Sequence, residues 1–330
     1  MAKGKPCVLA GVDIGTHRTK VAVVSAGERR PALMSAVALP SMGVEKGVIV
    51  DSAACAGVVG RAVGEAVRQA GVSLDGAWVS YSGSGTAVRE CPEFLPFDEE
   101  TSLCFYSSLK AVTAPKEHIE SIEACACSAG LAVCGVLYSP LATARAALTP
   151  VEREAGTLLL EVGSWASTVS IFDGGSLKET AVVPVGGEHL LCDLAIGLRV
   201  PLVVAQEILY HIEEDSLCAK NLSFDLKLAH KILKSRLCEM GELFLKTYRG
   251  FSYPGLLPGG VVLCGGVSRL QELLNTLMEF FTMPVRCGEI KEVFGIKPGM
   301  EDFTCAVGLA LSGLRYWRKS FRFKAALPNK

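Results

Sequence analysis

Hydrophobic and polar positions in the first part of the chain predict strands followed by a helix. Apolar runs at Cys7–Val12, Val21–Val24 and Pro31–Leu39, separated by turn residues, predict three paired strands. A helix is expected from Ser52 to about Ala70, because its valines and alanines recur on one face. With a further strand at Ala77–Tyr81, the first 90 residues read βββαβ.

The middle of the chain is less regular. The prolines within Cys91–Glu117 indicate a small inserted element. Glu120–Ala129 is predicted as a helix and Leu131–Tyr138 as a buried strand, and a new helix opens at Ser139. The uncharged stretch 124–144 is long enough to cross a bilayer, but glycine and proline interrupt it. We therefore expect a soluble protein.

The strand pattern then repeats. Gly156–Glu161, Thr168–Phe172 and Lys178–Pro184 form a second predicted three-stranded unit like the first. Two such halves facing each other predict a cleft between two lobes.

The remaining segments of the second half are mainly helical. The pattern predicts one strand, Val261–Cys264, and helices over Gly186–Leu198, Pro201–Glu213, Leu226–Tyr248, Ser268–Phe281 and Phe303–Arg318.

Composition narrows the possible functions. The net charge of −1 argues against a general nucleic-acid binder. The 13 cysteines are scattered without zinc-type spacing, so they are interpreted as small core residues in a reducing cytosol. No signal peptide is predicted, because the first apolar run is broken at Asp13.

Two glycine-containing turns are candidates for nucleotide contact. In the turn at Asp13–Thr16, Gly15 lets the backbone approach a phosphate, Asp13 could hold magnesium through water, and Lys20 could neutralise a phosphate oxygen. Gly265-Gly266 joins a strand to a helix, where a nucleoside could lie. An ordinary surface hairpin and a structural turn are the alternative interpretations.

These two turns, together with a third at Val162–Trp165 in the second three-stranded unit, occur in an order that resembles the actin, Hsp70 and sugar-kinase superfamily. Within it, several stretches are similar to the FtsA family of bacterial cell-division proteins. They are Val8–Val24, Ser41–Asp51, Tyr81–Ser84, Val183–Leu198, Leu257–Gly266, Met283–Arg286 and Thr304–Leu309.

This resemblance implies an α/β, actin-like (ribonuclease H-like) bilobal fold with two mixed sheets around a nucleotide cleft. Residues 1–153 would form the first lobe, 154–313 the second with a subdomain at 201–258, and 314–330 a tail. ATP and Mg²⁺ would lie in the cleft, with Asp13 as the metal residue. The implied nucleotide-binding residues are Asp13, Gly15, Thr16, Lys20, Gly163, Ser164, Gly265 and Gly266.

The resemblance also implies a scaffold that tethers FtsZ polymers to the cytoplasmic face of the inner membrane at the division site. It would self-associate and recruit other division proteins. The long helix carries Lys231, Lys234 and Arg236, which could meet an acidic FtsZ tail, although a solvated helix face is the alternative. The membrane residues would be Trp317, Arg318, Lys319, Phe321, Arg322 and Phe323, against the alternative of a loose basic end.

Two departures from the family pattern change these expectations. The second phosphate loop reads Glu161-Val-Gly-Ser-Trp-Ala166, where the family has an Asp-x-Gly-Gly-Gly-Thr type. An indole at Trp165 would crowd a phosphate or turn outward. We therefore expect weak or absent ATP hydrolysis. The inserted element is also shorter than the family's, so self-association through it would be altered.

Two other functions stay open. A PilM-type pilus-assembly protein has the same fold, but the short insert disfavours it. A phosphotransferase of the superfamily needs a base near the acceptor hydroxyl, and the turn at Gly163 offers no aspartate.

Overall fold

A computed structural model describes residues 6–27, 29–83, 85–90, 101–107, 110–212 and 224–326. For residues 89–90, 101–107, 110–111 and 317–326 it describes the backbone only.

The first sheet has the strand order β10-β6-β1-β2-β3. Its members are β1 (Val8–Ile14), β2 (Arg18–Ser25), β3 (Ala32–Pro40), β6 (Gly76–Tyr81) and β10 (Val133–Tyr138). The first three pair antiparallel, whereas β6 and β10 extend the sheet in parallel. Strand β1 is almost wholly buried, as its continuous apolar sequence requires.

The second sheet repeats this arrangement as β13-β12-β11-β14-β15. Its strands are β11 (Thr157–Val162), β12 (Ser167–Asp173), β13 (Ser176–Val183), β14 (Val261–Cys264) and β15 (Val285–Cys287). Again three strands are antiparallel and two are added in parallel. The predicted α/β fold with two mixed sheets is confirmed.

The helices cover both sheets. They are α1 (Ser52–Ala70), α2 (Lys116–Ser128), α3 (Ser139–Ala147), α4 (Pro150–Ala155), α5 (Gly187–Leu198), α6 (Leu202–His211), α7 (Leu226–Gly250), α8 (Gln271–Phe280) and α9 (Thr304–Ala326). Helix α1 has the predicted ends: the Asp51 side chain accepts a hydrogen bond from the Ala54 amide, and Gly71 is left-handed. None of the helices that the structure describes combines the length and the hydropathy that a membrane span requires.

Two small sheets complete the first lobe. Strands β4 (Val44–Glu45) and β5 (Val48–Ile49) form a hairpin. The inserted element is an antiparallel sheet of order β7-β9-β8, made of Ala87–Glu90, Lys110–Pro115 and Thr101–Ser107. Part of the predicted insert, residues 91–100, lies outside the described residues.

Helix α9 packs on the first sheet. Its buried residues Ala306, Val307 and Ala310 share a cluster with Leu9 and Val24. Our sequence prediction placed residues 304–313 in the second lobe. The apolar period showed that one face is buried, but it carried no information about which sheet covers that face.

Helices α3 and α9 approach each other closely. Any Cβ added at Gly308 of α9 would overlap the carbonyl oxygen of Ala142 in α3, and one added at Gly11 of β1 would overlap that of Ala306. Glycine at these positions therefore permits direct backbone contact.

We expect Gly308→Ala to lower the free energy of unfolding by about 2 kcal/mol, because the helices would have to separate. Urea denaturation measures the change. Gly64→Ala is the matched control: Gly64 lies on the exposed face of α1 with no atom near its added Cβ. It should stabilise by roughly 0.5 to 1 kcal/mol. Equal stability of Gly308→Ala and wild type would contradict the close contact.

Candidate functional site

The turns of the two lobes have the same hydrogen bond. In the β1–β2 turn the Gly15 amide donates to the Arg18 carbonyl at 3.2 Å, and in the β11–β12 turn the Gly163 amide donates to Ala166 at 3.1 Å. Thr16 and Ser164 follow the two glycines. The repeat inferred from the sequence therefore extends to the geometry of the candidate phosphate loops.

The Asp13 carboxylate is held at the end of β1. The Ser80 hydroxyl donates to Asp13 Oδ1 at 2.9 Å and accepts a bond from the Ile14 amide at 3.2 Å. Ser80 lies on β6, the parallel neighbour of β1, so the sheet itself positions this contact. Burial raises the pKa of the Cys305 thiol in α9, and the Asp13 carboxylate beside it raises it further.

The Glu161 carboxylate occupies the corresponding position in the second lobe. The Ser139 and Thr143 hydroxyls of α3 donate to its two oxygens, each at 2.6 Å. Burial raises the pKa of Glu161, the two hydroxyl bonds act against this, and the Asp13 carboxylate adds to the rise. The Glu161 carboxylate is thus fixed by two hydroxyl groups and shielded from water.

Lys20 lies beside Asp302 in the structure. Its amine donates to the Asp302 carbonyl at 2.8 Å and is 3.8 Å from the carboxylate. The Arg269 guanidinium donates to the same carboxylate at 3.0 Å. The Lys20 amine, which the sequence analysis assigned to a phosphate oxygen, therefore binds Asp302 in this structure.

Trp165 is packed between the lobes. Its ring centroid is 5.2 Å from that of His189 in α5, and the Lys46 amine lies 4.6 Å from the indole centroid. Lys46 and Gly47 form the β4–β5 turn, and both have positive φ. The Gly47 amide donates to Thr16 Oγ1 at 2.9 Å, so this hairpin touches both phosphate loops.

The other predicted turn residues lie in backbone contact with their neighbours. The carbonyls of Gly163 and Ser164 accept bonds from the first amides of α5, at 2.9 and 2.8 Å. Gly265 has φ +100°, and a Cβ there would overlap the Val162 carbonyl. Gly266 faces open space. The β14–α8 turn is therefore placed against the second phosphate loop.

The arrangement of these residues is better suited to binding a nucleotide than to hydrolysing it. The glycine turns and the space at Gly266 suit a bound nucleotide. However, Glu161 is held by two hydroxyls, and Trp165 occupies the second loop. Within the described residues no group of three or more His, Cys, Asp or Glu side chains could hold a metal ion, so Asp13 would act with water and phosphate oxygens.

The predicted partner-binding residues are divided between two faces of α7. Lys231 and Arg236 line a groove of about 450 Å³ between α5 and α7, together with Ile196, Leu228 and Ile232. Lys234 faces α8, where its amine donates to Glu279 at 2.8 Å.

The groove carries charges of both signs. The Arg236 guanidinium makes two bonds to Asp193, at 2.6 and 3.0 Å, and one to Glu239 at 2.6 Å. Lys231 has no ion pair within the described residues. The groove is therefore apolar with balanced charge, and Lys234 is not among the residues that line it.

The predicted membrane residues 317–323 lie on the last turns of α9. The helix continues to Ala326, beyond the predicted end at Arg318. The structure describes the backbone of these residues but not their side chains.

Sequence reasoning missed the residues that hold the site. Ser80, Thr143 and Asp302 stand alone in the sequence, without a motif. Ser139 was recognised only as a helix start. Their roles depend on contacts between residues 18 to 282 positions apart in the chain.

We expect Glu161→Gln to raise the free energy of unfolding at pH 8 by roughly 1 kcal/mol, because glutamine keeps a hydrogen-bonding amide without a buried charge. The pKa of Glu161 is raised above 4.5 on folding, so stability is full below that value and falls as pH rises through the folded pKa. Denaturation between pH 4 and 8 should show the variant lacking this fall. The exposed control Glu242→Gln should follow wild type, and a pH-independent loss in Glu161→Gln would contradict the prediction.

By sequence, the chain is similar to cell division proteins named FtsA. The profile described as "Cell division protein FtsA" matches residues 158–310. Cell division protein FtsA of Pseudomonas aeruginosa is 26% identical over 378 residues, which cover 93% of this chain and 89% of that protein. FtsA of Bacillus subtilis is 23% identical, over 83% of this chain and 77% of that protein.

Comparison by structure gives actin-like proteins. The ethanolamine utilization protein EutJ from Carboxydothermus hydrogenoformans has a TM-score of 0.66 at 16% identity, covering 93% of this chain and 90% of that one. The PilM-PilN type IV pilus biogenesis complex has 0.69 at 17%, covering 93% and 98%. MreB5 of Spiroplasma citri bound to ADP has 0.59 at 13%, covering 98% and 99%. At these identities the likeness shows the fold alone. By sequence the chain is thus similar to cell division protein FtsA, and by structure it has an actin-like fold.

Proposed function

We propose that this protein is a cell-division scaffold: an actin-like adaptor that binds FtsZ and attaches it to the cytoplasmic face of the membrane. The observation that carries the proposal is the match to cell division protein FtsA over most of the chain. Self-association and contact with other division proteins belong to the same proposal. So does the division into lobes 1–153 and 154–313 with a subdomain at 201–258, except that α9 packs on the first lobe.

The likeness to PilM is one of fold at 17% identity, whereas the relatives found by sequence are FtsA proteins. The locked Glu161 argues against a phosphotransferase, because a general base must be free to take the acceptor proton. The FtsA interpretation is therefore preferred to both.

We propose that ATP lies between Asp13–Thr16, Gly163–Ser164 and Gly265–Gly266. The neighbour MreB5 is bound to ADP in its crystal structure, which supports a nucleotide at the equivalent cleft. Asp13 would hold Mg²⁺ through water, and a bound nucleotide would take Lys20 from Asp302. The protein would bind nucleotide without turning it over efficiently.

We expect ATP turnover by the pure protein to be no faster than by Asp13→Ala. The double variant Trp165→Gly/Ala166→Thr should bind ATP about tenfold more tightly, because it removes the ring and restores a hydroxyl donor. Phosphate release and equilibrium binding measure the two effects. Robust magnesium-dependent turnover by wild type that Asp13→Ala abolishes would overturn the proposal.

The α5–α7 groove is the proposed FtsZ-binding surface. Ile196 is 76% exposed and Leu228 39%, so an amphipathic peptide could bury apolar area there. Lys231 would meet an acidic residue of that peptide. Arg236 would serve mainly to order the groove, since Asp193 and Glu239 already bind it.

We expect Ile196→Asp to weaken binding of a labelled FtsZ C-terminal peptide by about tenfold or more, and Lys231→Gln by about threefold. Fluorescence anisotropy measures both. Lys234→Gln, on the other face of α7, and Lys246→Gln, exposed near its far end, are matched controls that should bind like wild type. Loss of binding in Lys234→Gln alone would favour the α8 side instead.

The end of α9 is the proposed membrane anchor. Trp317, Phe321 and Phe323 stand among the five basic residues of segment 315–324, a composition suited to an anionic bilayer surface. The helix runs into this segment directly from the first lobe.

We expect full-length protein to pellet with phosphatidylglycerol vesicles, whereas a chain ending at Tyr316 stays in the supernatant. Neutral vesicles are the control, since the basic charges should then contribute little. Equal pelleting of the two chains on anionic vesicles would reject the anchor.

A further inference from the structure

Three arginines from three helices are close enough for their charges to interact. Arg145 belongs to α3, Arg153 to α4 and Arg315 to α9. The Arg153 guanidinium donates to the carbonyls of Ala144 and Leu148, at 3.0 and 2.7 Å, so it is fixed at the C-terminal end of α3. Arg315 is exposed, whereas the other two are half-buried.

One hydrogen-bond donor of Arg145 has no acceptor within the described residues. Its Nε atom is buried and makes no hydrogen bond within the described residues. Its Nη1 atom is 3.8 Å from Glu292 Oε2, which is longer than a hydrogen bond. A buried, unsatisfied guanidinium N–H calls for a partner such as a water or an ion.

The charges of the cluster are not balanced. Burial lowers the pKa of Arg145 and of Arg153, and the positive charge of Arg315 lowers both further. Glu292 is the carboxylate that opposes this at both arginines. Glu152, which acts on Arg153, is bound to the Arg286 guanidinium at 2.7 Å. Glu292, a half-exposed carboxylate, thus opposes the charges of Arg145 and Arg153, while Arg315 adds a third positive charge.

We propose that Arg145, Arg153 and Arg315 form a binding site for a phosphate monoester, with the buried Nε of Arg145 as one of its donors. The site does not depend on the proposed division function.

The chemistry of the ligand follows from the donors. Guanidinium groups bind phosphate oxygens with charge-assisted bonds, often in pairs, and a dianion would offset the mutual repulsion of the arginines. A water molecule could satisfy Nε, but it would leave the repulsion unchanged. A monoester dianion supplies both the acceptor and the charge.

The cluster is separate from the nucleotide cleft. Helix α3 presents Ser139 and Thr143 to Glu161 from its first turns, whereas Arg145 belongs to its last turn. Tyr316, next to Arg315, stacks on Trp78 of the first sheet with ring centroids 5.2 Å apart, which fixes this part of α9. The site therefore lies where α9 leaves the body of the first lobe.

The test uses the full-length chain with inorganic phosphate and glycerol 3-phosphate at constant ionic strength set with chloride. Calorimetric titration should show binding to wild type that Arg315→Ala and Arg145→Gln weaken about tenfold each. Arg61→Ala, an exposed arginine of α1, should bind like wild type. Unchanged melting of Arg315→Ala in chloride shows that its loss of binding is not a loss of folding.

Vesicles then separate the two sources of such a phosphate. Phosphatidic acid carries a monoester, and phosphatidylglycerol at matched surface charge carries a diester. A preference for phosphatidic acid that Arg315→Ala removes identifies a lipid headgroup. Binding of glycerol 3-phosphate with no such vesicle preference identifies a soluble phosphate. Failure of wild type to bind phosphate above chloride, or equal binding by all four proteins, would overturn the proposal and leave water as the partner of Arg145.

Discussion

The close contact between α3 and α9 is the packing constraint on which the other features depend. Gly308 lets α9 approach the backbone of α3 at Ala142, and Gly11 lets it approach β1. Because no side chain separates these backbones, the position of α3 between the sheets is tightly determined. Helix α3 in turn carries the hydroxyls that hold Glu161, and α9 carries the thiol beside Asp13. A shift of α3 would therefore disturb the hydrogen bonds of Glu161, and a shift of α9 would change the surroundings of Asp13.

Contacts within the chain join the two lobes across the cleft. A hydrophobic cluster runs from the first sheet to Leu159 and Val262 of the second, and polar contacts join the turns above it. Lys46 reaches Trp165 across the lobes, and Lys20 reaches Asp302. An entering nucleotide would have to replace these contacts, so its binding energy would be coupled to the arrangement of the lobes. Such coupling suits a scaffold that changes state on binding, whereas the held Glu161 does not suit rapid turnover.

The surfaces proposed for partners belong to different elements. The groove lies between α5 and α7 of the second lobe, while the basic end of α9 and the arginine cluster extend from the first. An adaptor requires this separation, because it must hold two partners at once. The arginine cluster adds a phosphate-type donor set where α9 leaves the lobe.

Most strands of the two large sheets, most helices, the duplicated βββ unit and the glycine turns could be predicted from the sequence, because alternation, apolar runs and glycine positions are local properties of the chain. It also predicted that Glu161, Trp165 and Ala166 depart from a hydrolytic loop. Only the tertiary structure decided that α9 covers the first sheet, that Lys20 binds Asp302 and that Lys234 faces away from the groove. A residue's type shows that an apolar face will be buried or that a charge will be paired. It does not show which distant element supplies the contact, because only the fold brings that element close.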